Sequence, residues 1–119
     1  MYQYKATVLR VVDGDTLHLD VDLGFFTRME ITVRLYGLNT PEVRGPERAA
    51  GLRSKAYVTE VVPPGTLVVV KTYKAEKYGR FLADIWYLPG SADREEIMLR
   101  GRWLNKELLD KGLAVVYLL

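Results

Sequence analysis

Three short polar segments stand out in the sequence because their side chains suit the chemistry of phosphate esters. The first is residues 13–16, Asp-Gly-Asp-Thr. The second combines Arg34 with residues 38–42, Leu-Asn-Thr-Pro-Glu, and the third is residues 77–80, Lys-Tyr-Gly-Arg. Taken alone, each has an ordinary structural interpretation, since Asp-Gly-Asp and Tyr-Gly-Arg are typical of turns and an arginine on a strand usually faces solvent. Their chemical interpretation depends on their being brought together.

Hydrolysis of a phosphodiester requires positive charge on the phosphoryl oxygens, a positioned water molecule and neutralisation of developing charge. Oxygen ligands suit Ca²⁺ or Mg²⁺. Asp15 offers a carboxylate, and Asn39 and the backbone carbonyl of Thr40 offer neutral oxygens. Asp13 is a candidate for the outer shell of the same metal site.

The remaining charged residues of the three segments suit the phosphoryl group and the attacking water. Arg34 and Arg80 carry guanidinium groups that match phosphoryl oxygens. Glu42 is the acid of the Thr-Pro-Glu loop, where it is able to orient or deprotonate water. Arg34, Glu42 and Arg80 are therefore candidates for groups that act on the phosphodiester.

Hydrophobic periodicity predicts the elements that position these segments. Alternating and β-branched residues predict strands at residues 4–12, 16–22, 29–36, 66–73 and 81–88. A helix is predicted from residue 46 to about residue 62, with Ala49, Leu52 and Ala56 on its buried face. Helical spacing recurs over residues 94–111 at Leu104 and Leu108.

Two further signals concern the C-terminal part of the chain. Gly112 stands where the glycine after a helix belongs, and the apolar residues 113–119 are expected to dock on the core. The order is three strands, a helix, two strands and a helix. It predicts an α+β, mainly β fold: a five-stranded OB-fold barrel with two to three flanking helices.

The bulk composition is that of an ordinary folded domain. The chain has 119 residues, 49% of them apolar and 27% charged, with a net charge of +2. One domain over residues 1–119 is expected, and no stretch approaches the ~18 apolar residues of a membrane helix. The absence of cysteine excludes disulfides and thiolate metal sites. Two localisations are left open: a cytoplasmic protein, or a chain whose leader is not present. We expect a monomer.

The three segments, in this order and spacing, resemble the staphylococcal nuclease (thermonuclease) family. That family has an Asp-Gly-Asp-Thr turn, an arginine on the third strand, an Asp-Thr-Pro-Glu loop and a Lys-Tyr-Gly-Arg turn. The resemblance extends to Gly-Pro-Glu at residues 45–47 and to residues 103–114, and so covers almost the whole chain. It implies that Ca²⁺, with Mg²⁺ or Mn²⁺ as alternatives, binds Asp15, Asn39 and Thr40. It also implies that Arg34, Glu42 and Arg80 are catalytic and that Lys77 and Tyr78 contact the nucleotide.

Two departures from the family pattern bear on the site. Asn39 replaces the aspartate of well-known members, which removes a full negative charge and predicts weaker metal binding. Residues 43–45 form a short connection, which predicts a small loop and an open groove. Tyr117 is a candidate for base stacking, with a core position as the alternative.

Other polar and aromatic residues favour structural roles. His18 lies on the polar face of a strand, which favours packing over catalysis. Trp86 and Trp103 are expected in the core. Phe25 and Phe26 are expected to tuck over the barrel, with an exposed contact as the alternative. Arg44, Arg48, Arg53 and Lys55 form a solvated face or a surface for phosphates.

The favoured function is a calcium-dependent nuclease with little sequence preference, acting on DNA and, as an open alternative, RNA. By resemblance, water attacks phosphorus, the 5′ oxygen leaves, and a 3′-phosphate remains. Single-stranded nucleic acid is the expected partner, since a metal-and-arginine pocket reads the backbone. The alternatives are a catalytically weakened OB-fold that binds nucleic acid or a protein, and an assembly protein that uses exposed aromatics. The intact set of Arg34, Glu42 and Arg80 favours the enzyme.

Overall fold

The structure, a computed structural model, describes residues 3–75 and 79–117. Its helices are α1 (Arg48–Val61), α2 (Arg94–Arg100) and α3 (Leu104–Asp110), with a 3₁₀ turn at Gly45–Glu47 before α1. Its strands are β1 (Gln3–Asp13), β2 (Thr16–Gly24), β3 (Thr27–Leu35), β4 (Leu38–Asn39), β5 (Leu67–Ala75), β6 (Phe81–Tyr87), β7 (Arg102–Trp103) and β8 (Val115–Val116). None of the helices in these ranges is long and apolar enough to cross a membrane.

The five long strands close into a barrel. β1 pairs antiparallel with β2 and β5, β2 with β3, and β5 with β6. Parallel pairing of β3 with β6, from Val33–Phe81 to Leu35–Ala83, closes the circle. The alternating apolar residues fill its interior, where Val8, Leu17, Leu19, Val33, Leu35, Val70 and Ile85 are fully buried. The predicted mainly β, five-stranded OB-fold barrel with flanking helices is confirmed.

The predicted buried face of the first helix is wrong. Ala49, Leu52 and Ala56 are exposed, whereas α1 buries Gly51, Ser54 and Val58. The reason is that the helix lies close to the turn at residues 13–15 and to the loop at residues 40–42. Only small residues fit between these backbones, so the buried stripe is not the most apolar one.

The segment at residues 94–111 divides into two short helices. The amide of Gly101 bonds to the carbonyl of Ile97 at 2.7 Å, and an added Cβ at Gly101 would lie only 2.2 Å from that oxygen. The chain then leaves the helix and pairs β7 with β6 before α3 begins. Leu104 and Leu108 are buried as predicted, and Gly112 has the positive φ of 70° expected after a helix.

The C-terminal segment attaches by its backbone more than by its side chains. β8 pairs with β4, and the amide of Tyr117 donates to the carbonyl of Gly37 at 2.9 Å. Ala114 is buried, but Val115 and Val116 are largely exposed. The predicted docking of the apolar tail is therefore wrong for these valines, and residues 118–119 lie outside the described part of the chain.

Two predictions for aromatic residues are also wrong. Trp103 is 42% exposed and Trp86 is half-buried, because both stand on the outer face of the sheet where β7 joins β6. Phe25 and Phe26 are fully exposed instead of tucked over the barrel. Both lie in the two-residue turn between β2 and β3 with φ of 53° and 63°, so the tight turn directs the rings away from the barrel.

Candidate active site

A cleft of about 600 Å³ opens at one end of the barrel and is lined by most of the predicted site residues. Its polar lining comes from the hairpin of β1 and β2, from β3, from the loop after β4 and from the residue before β6. The predicted site residues that line it are Asp13, Asp15, Arg34, Asn39, Thr40, Glu42 and Arg80. Lys77 and Tyr78, predicted to contact the nucleotide, lie outside the described residues.

Asp15 is held by contacts from three neighbouring elements. The hydroxyl of Thr16 donates to its Oδ1 at 3.0 Å, and the backbone amide of Thr40 donates to its Oδ2 at 3.2 Å. Its own carbonyl accepts from the amide of Leu35 at 2.8 Å. Because these contacts come from β2, β3 and the loop after β4, the carboxylate is fixed toward the cleft.

Arg34 lies beside this carboxylate. It is the cross-strand neighbour of Thr16, and its Nε atom is 3.9 Å from Oδ2 of Asp15. Both side chains are largely withdrawn from solvent, at 16% and 13% exposure. The guanidinium carbon lies 5.3 Å from the ring centroid of Tyr117, a cation–π contact that restrains it further.

Arg80 reaches the same cleft from the neighbouring strand. It immediately precedes β6, whose first residue, Phe81, pairs with Val33, the residue before Arg34. Parallel pairing of β3 and β6 therefore carries both arginines to one end of the barrel. Two guanidinium groups and the carboxylate of Asp15 therefore line one cavity, and the guanidinium groups are the ones that match phosphoryl oxygens.

The loop carrying Asn39, Thr40 and Glu42 is positioned by close backbone packing. Asn39 pairs with Val115 in the small β4–β8 sheet, and Glu42 is exposed at the cleft. A Cβ added to Gly51 of α1 would lie 2.1 Å from the carbonyl oxygen of Glu42. Glycine at this position thus permits the helix to support the loop directly.

Ser54, one helical turn after Gly51, connects α1 to two further parts of the cleft. Its hydroxyl donates to the carbonyl of Leu113 at 2.6 Å. A Cβ added to Gly14, between the two aspartates of the turn, would meet the Cβ of Ser54 at 2.7 Å. Sequence reasoning missed Gly51 and Ser54, although small residues inside a helix were a signal of close packing.

Asn105 is a further positioning residue that sequence reasoning missed. Its side chain is buried, accepts from the amide of Ile85 at 3.1 Å and donates to the carbonyls of Tyr36 and Ala83, each at 3.1 Å. It therefore links α3 to β6 and to the end of β3, just after Arg34. A buried amide that satisfies three backbone groups fixes the strand ends that carry the site.

The candidate metal ligands of the cleft are oxygen atoms, some from carboxylates and some from neutral groups. Within residues 3–75 and 79–117, no group of three or more histidine, aspartate or glutamate side chains is arranged to hold a metal. The carboxylate of Asp15 has neutral oxygens of Asn39 and Thr40 for neighbours in the lining. This donor set has the chemistry of a hard-cation site with few charged ligands.

Several other predicted residues can be placed relative to the cleft. His18 contacts the Thr32 hydroxyl at 3.1 Å and Glu30 at 3.2 Å, which confirms the packing interpretation. Tyr117 lines the cleft and is not a core residue, so the core alternative is wrong. The four basic residues around the first helix do not line the cleft; Arg44, Arg48 and Arg53 are exposed and Lys55 is half-buried.

The fold and the polar cleft define the class of protein, and comparison with known proteins identifies the family. Residues 32–119 match the family of staphylococcal nuclease homologues, and the chain belongs to that family. This match covers the end of β3 with Arg34, the loop after β4, Arg80 and the C-terminal segment. The recognition made from the three polar segments is confirmed.

Two curated relatives extend the similarity over nearly the whole chain. Endonuclease YhcR of Bacillus subtilis (strain 168) is 30% identical over 97% of this chain, which spans 9% of that protein. Uncharacterized protein MJ1439 of Methanocaldococcus jannaschii is 26% identical, again over 97% of this chain, which spans 60% of that protein. The chain is thus shorter than both relatives, and much shorter than the first.

Proposed function

We propose that this chain is a metal-dependent nuclease that hydrolyses phosphodiester bonds of DNA, with RNA as an alternative substrate, and with little sequence preference. The observation that carries the proposal is the meeting of Asp15, Arg34, Glu42 and Arg80 in one cleft of a staphylococcal nuclease homologue. These groups come from separate parts of the chain. The barrel can form without placing their charges close together. The name of the Bacillus relative, an endonuclease, supports internal cleavage of the substrate.

The proposed cofactor is Ca²⁺, with Mg²⁺ or Mn²⁺ as alternatives. Asp15, Asn39 and the Thr40 carbonyl would hold it, with Asp13 in the outer shell, since all four line the cleft. When bound, the cation would supply positive charge to the phosphoryl oxygens. The single inner carboxylate fits a hard cation held partly by water.

The side chains of the cleft would carry out the remaining steps. Glu42 accepts a proton from the attacking water, whose oxygen forms a bond to phosphorus. The bond between phosphorus and the 5′ oxygen breaks, the 5′ oxygen takes up a proton from solvent, and the phosphate stays on the 3′ side. Arg34 and Arg80 stabilise the charge on the phosphoryl oxygens, and the contact of Arg34 with Asp15 keeps its guanidinium oriented.

The proposed substrate is single-stranded or locally opened nucleic acid. A cleft that holds a phosphoryl group by arginines recognises the backbone rather than base edges. Tyr117, beside Arg34, is available for base stacking, and we propose that Lys77 and Tyr78 contact the nucleotide. The basic residues Arg44, Arg48 and Arg53 lie outside the lining of the cleft but are exposed, and we propose that they make further phosphate contacts.

A second candidate function is a binding module without catalysis. The observation in its favour is Asn39, which leaves Asp15 as the one carboxylate among the proposed inner ligands. The two functions differ in one measurable property, because a binding module retains oligonucleotide affinity without turnover.

The proposal is tested by comparing cleavage rates of single-stranded DNA with Ca²⁺ for the wild type, Glu42→Gln and Arg34→Ala. We expect a loss of about 100-fold or more for each variant, in line with removal of a catalytic base or of charge stabilisation. The control is Glu30→Gln. It removes an exposed acid on β3 that contacts His18 and does not line the cleft. Equal cleavage by all four proteins, or oligonucleotide binding without cleavage by the wild type, contradicts the nuclease.

A further inference from the structure

A second cleft, of about 580 Å³, lies on the outer face of β5 and β6 and is covered on one side by α3. Its volume is in the range of sites that bind small organic ligands. Aromatic side chains form two of its walls. Trp86 and Trp103 are cross-strand neighbours with nearly parallel rings, whose centroids lie 6.3 Å apart. Tyr36 and Tyr73 pack with ring centroids 4.6 Å apart.

The polar groups of this cleft are few and precisely held. Asp84, on the outward face of β6, is buried; it accepts from the Tyr73 hydroxyl at 2.5 Å and from the Trp103 indole nitrogen at 3.3 Å. Lys71 is the cross-strand neighbour of Asp84, and its Nζ atom lies 5.4 Å from the Tyr73 ring centroid. A buried carboxylate held by two aromatic donors has no evident function in supporting the barrel core.

The charges favour a neutral ring over a cationic ligand. The carboxylate of Asp84 already accepts from two donors and has Lys71 beside it. At the other wall, Lys106 and Asp110 pair with each other at 2.5 Å. The cleft therefore offers exposed aromatic surface, hydrogen-bonding groups and little net charge. A nucleobase presents the matching surface, a planar ring with polar edges.

The two clefts adjoin each other. Tyr36 follows Arg34 by two residues, and Tyr36 and Gly37 both line the aromatic cleft. The carbonyl of Gly37 accepts from the amide of Tyr117, which lines the active-site cleft. The backbone of residues 36–37 thus lies between the two clefts. A strand whose phosphate contacted Arg34 would therefore lie near the aromatic cleft.

We propose that the aromatic cleft binds a base of the same single strand whose phosphate occupies the active-site cleft. This inference rests on the proposed function, and it specifies the substrate as single-stranded, since a base must leave its partner to enter the cleft. Stacking on Trp103 and Tyr36 supplies affinity without sequence preference. Lys71 is placed to contact the adjoining phosphate.

Both tryptophans of the chain line this cleft, so intrinsic fluorescence reports its occupancy. The wild type is titrated, in chelator to prevent cleavage, with oligodeoxythymidine of about 12 nucleotides, a typical length for one OB-fold. We expect quenching of the tryptophan emission. By fluorescence anisotropy, Trp103→Ala and Tyr36→Ala should each weaken binding about tenfold. Trp103→Phe should restore most of the affinity because it keeps a ring.

The control variant is Phe25→Ala, which removes an aromatic ring that is fully exposed but does not line the cleft. Its affinity for oligodeoxythymidine should equal that of the wild type. The proposal is overturned when Trp103→Ala and Tyr36→Ala bind as tightly as the wild type, or when the wild type binds without tryptophan quenching. Absence of oligonucleotide binding overturns it as well.

A small substrate separates this proposal from the nuclease itself. A nitrophenyl ester of thymidine phosphate is expected to fill the active-site cleft without reaching Trp103. With Ca²⁺, the wild type and Trp103→Ala should cleave it equally, while cleavage of oligodeoxythymidine falls about tenfold in the variant. Turnover of the ester without tryptophan quenching by oligonucleotide overturns the aromatic site and leaves the nuclease intact. Quenching without any turnover supports the base site and contradicts the nuclease.

Discussion

The replacement Gly51→Ala sets two physical effects against each other. In a helix interior alanine is more favourable than glycine by about 1 kcal/mol, so propensity alone predicts a more stable protein. Here the added Cβ would lie 2.1 Å from the carbonyl oxygen of Glu42 and 2.8 Å from that of Pro41. Both atoms belong to the backbone, so relief of the clash requires the loop or the helix to move by about 1 Å.

We expect the clash to be the larger effect. Overpacking of a tight contact costs about 1–3 kcal/mol, which offsets the propensity gain and gives a net loss of up to about 2 kcal/mol. A displacement of about 1 Å of the loop that carries Glu42 should also lower the cleavage rate about 100-fold. Urea unfolding measures the first quantity, and the initial rate of single-stranded DNA cleavage with Ca²⁺ measures the second.

Gly65→Ala provides the matched control. Gly65 has a φ of 94°, so alanine is strained there, yet an added Cβ meets no atom within 4 Å. It should cost about 1–2 kcal/mol of stability with no change in the cleavage rate of the folded protein. The reasoning is refuted when Gly51→Ala is more stable than the wild type, or when it cleaves DNA at the wild-type rate.

Three further predictions concern the metal site, a buried amide and alkaline stability. Asn39→Asp should tighten Ca²⁺ binding about tenfold by calorimetry because it adds a full charge beside Asp15; unchanged or weaker affinity contradicts this. Asn105→Leu should lower the free energy of unfolding by about 2–4 kcal/mol in urea, because the Ile85 amide and the Tyr36 carbonyl lose their side-chain partner while the Ala83 carbonyl keeps only the Tyr36 amide; a loss below about 1 kcal/mol is the contrary result. Burial and the bond to Asp84 raise the pKa of Tyr73 from 10.0 to about 12, so the unfolded chain releases this proton first and stability falls as pH rises through that interval. Tyr73→Phe should reduce this alkaline loss in thermal unfolding, and an unchanged pH profile argues against it.

The barrel could be predicted because its signals are local. Residues such as Leu17, Leu19 and Val33 alternate with polar neighbours, and period-two alternation determines which face of a strand is buried. The turn between the two aspartates and the strand position of Arg34 follow from the same pattern. Once the strand order is known, the meeting of Asp15, Arg34 and Arg80 at one end of the barrel follows from topology.

The errors arose where close packing overrides hydrophobicity. The helix α1 buries Gly51 and Ser54 because it packs closely against two loops. The spacing of apolar residues in the sequence does not indicate how closely a helix approaches a loop. Trp103 was assigned to the core by its size, but its indole nitrogen bonds to Asp84 on the outer face of the sheet. Both errors concern contacts between segments distant in sequence, whose geometry appears only when the chain is folded.

The central claim is metal-dependent phosphodiester hydrolysis in the cleft of Arg34 and Arg80. Its most direct test is cleavage of a fluorescent single-stranded DNA by the wild type with Ca²⁺, then with chelator, beside Arg80→Ala and the exposed control Arg100→Ala on α2. The account predicts cleavage that needs Ca²⁺, that is lost in Arg80→Ala and that persists in Arg100→Ala. Cleavage that survives chelator or the loss of Arg80, or absence of cleavage with Ca²⁺, Mg²⁺ and Mn²⁺, would contradict it.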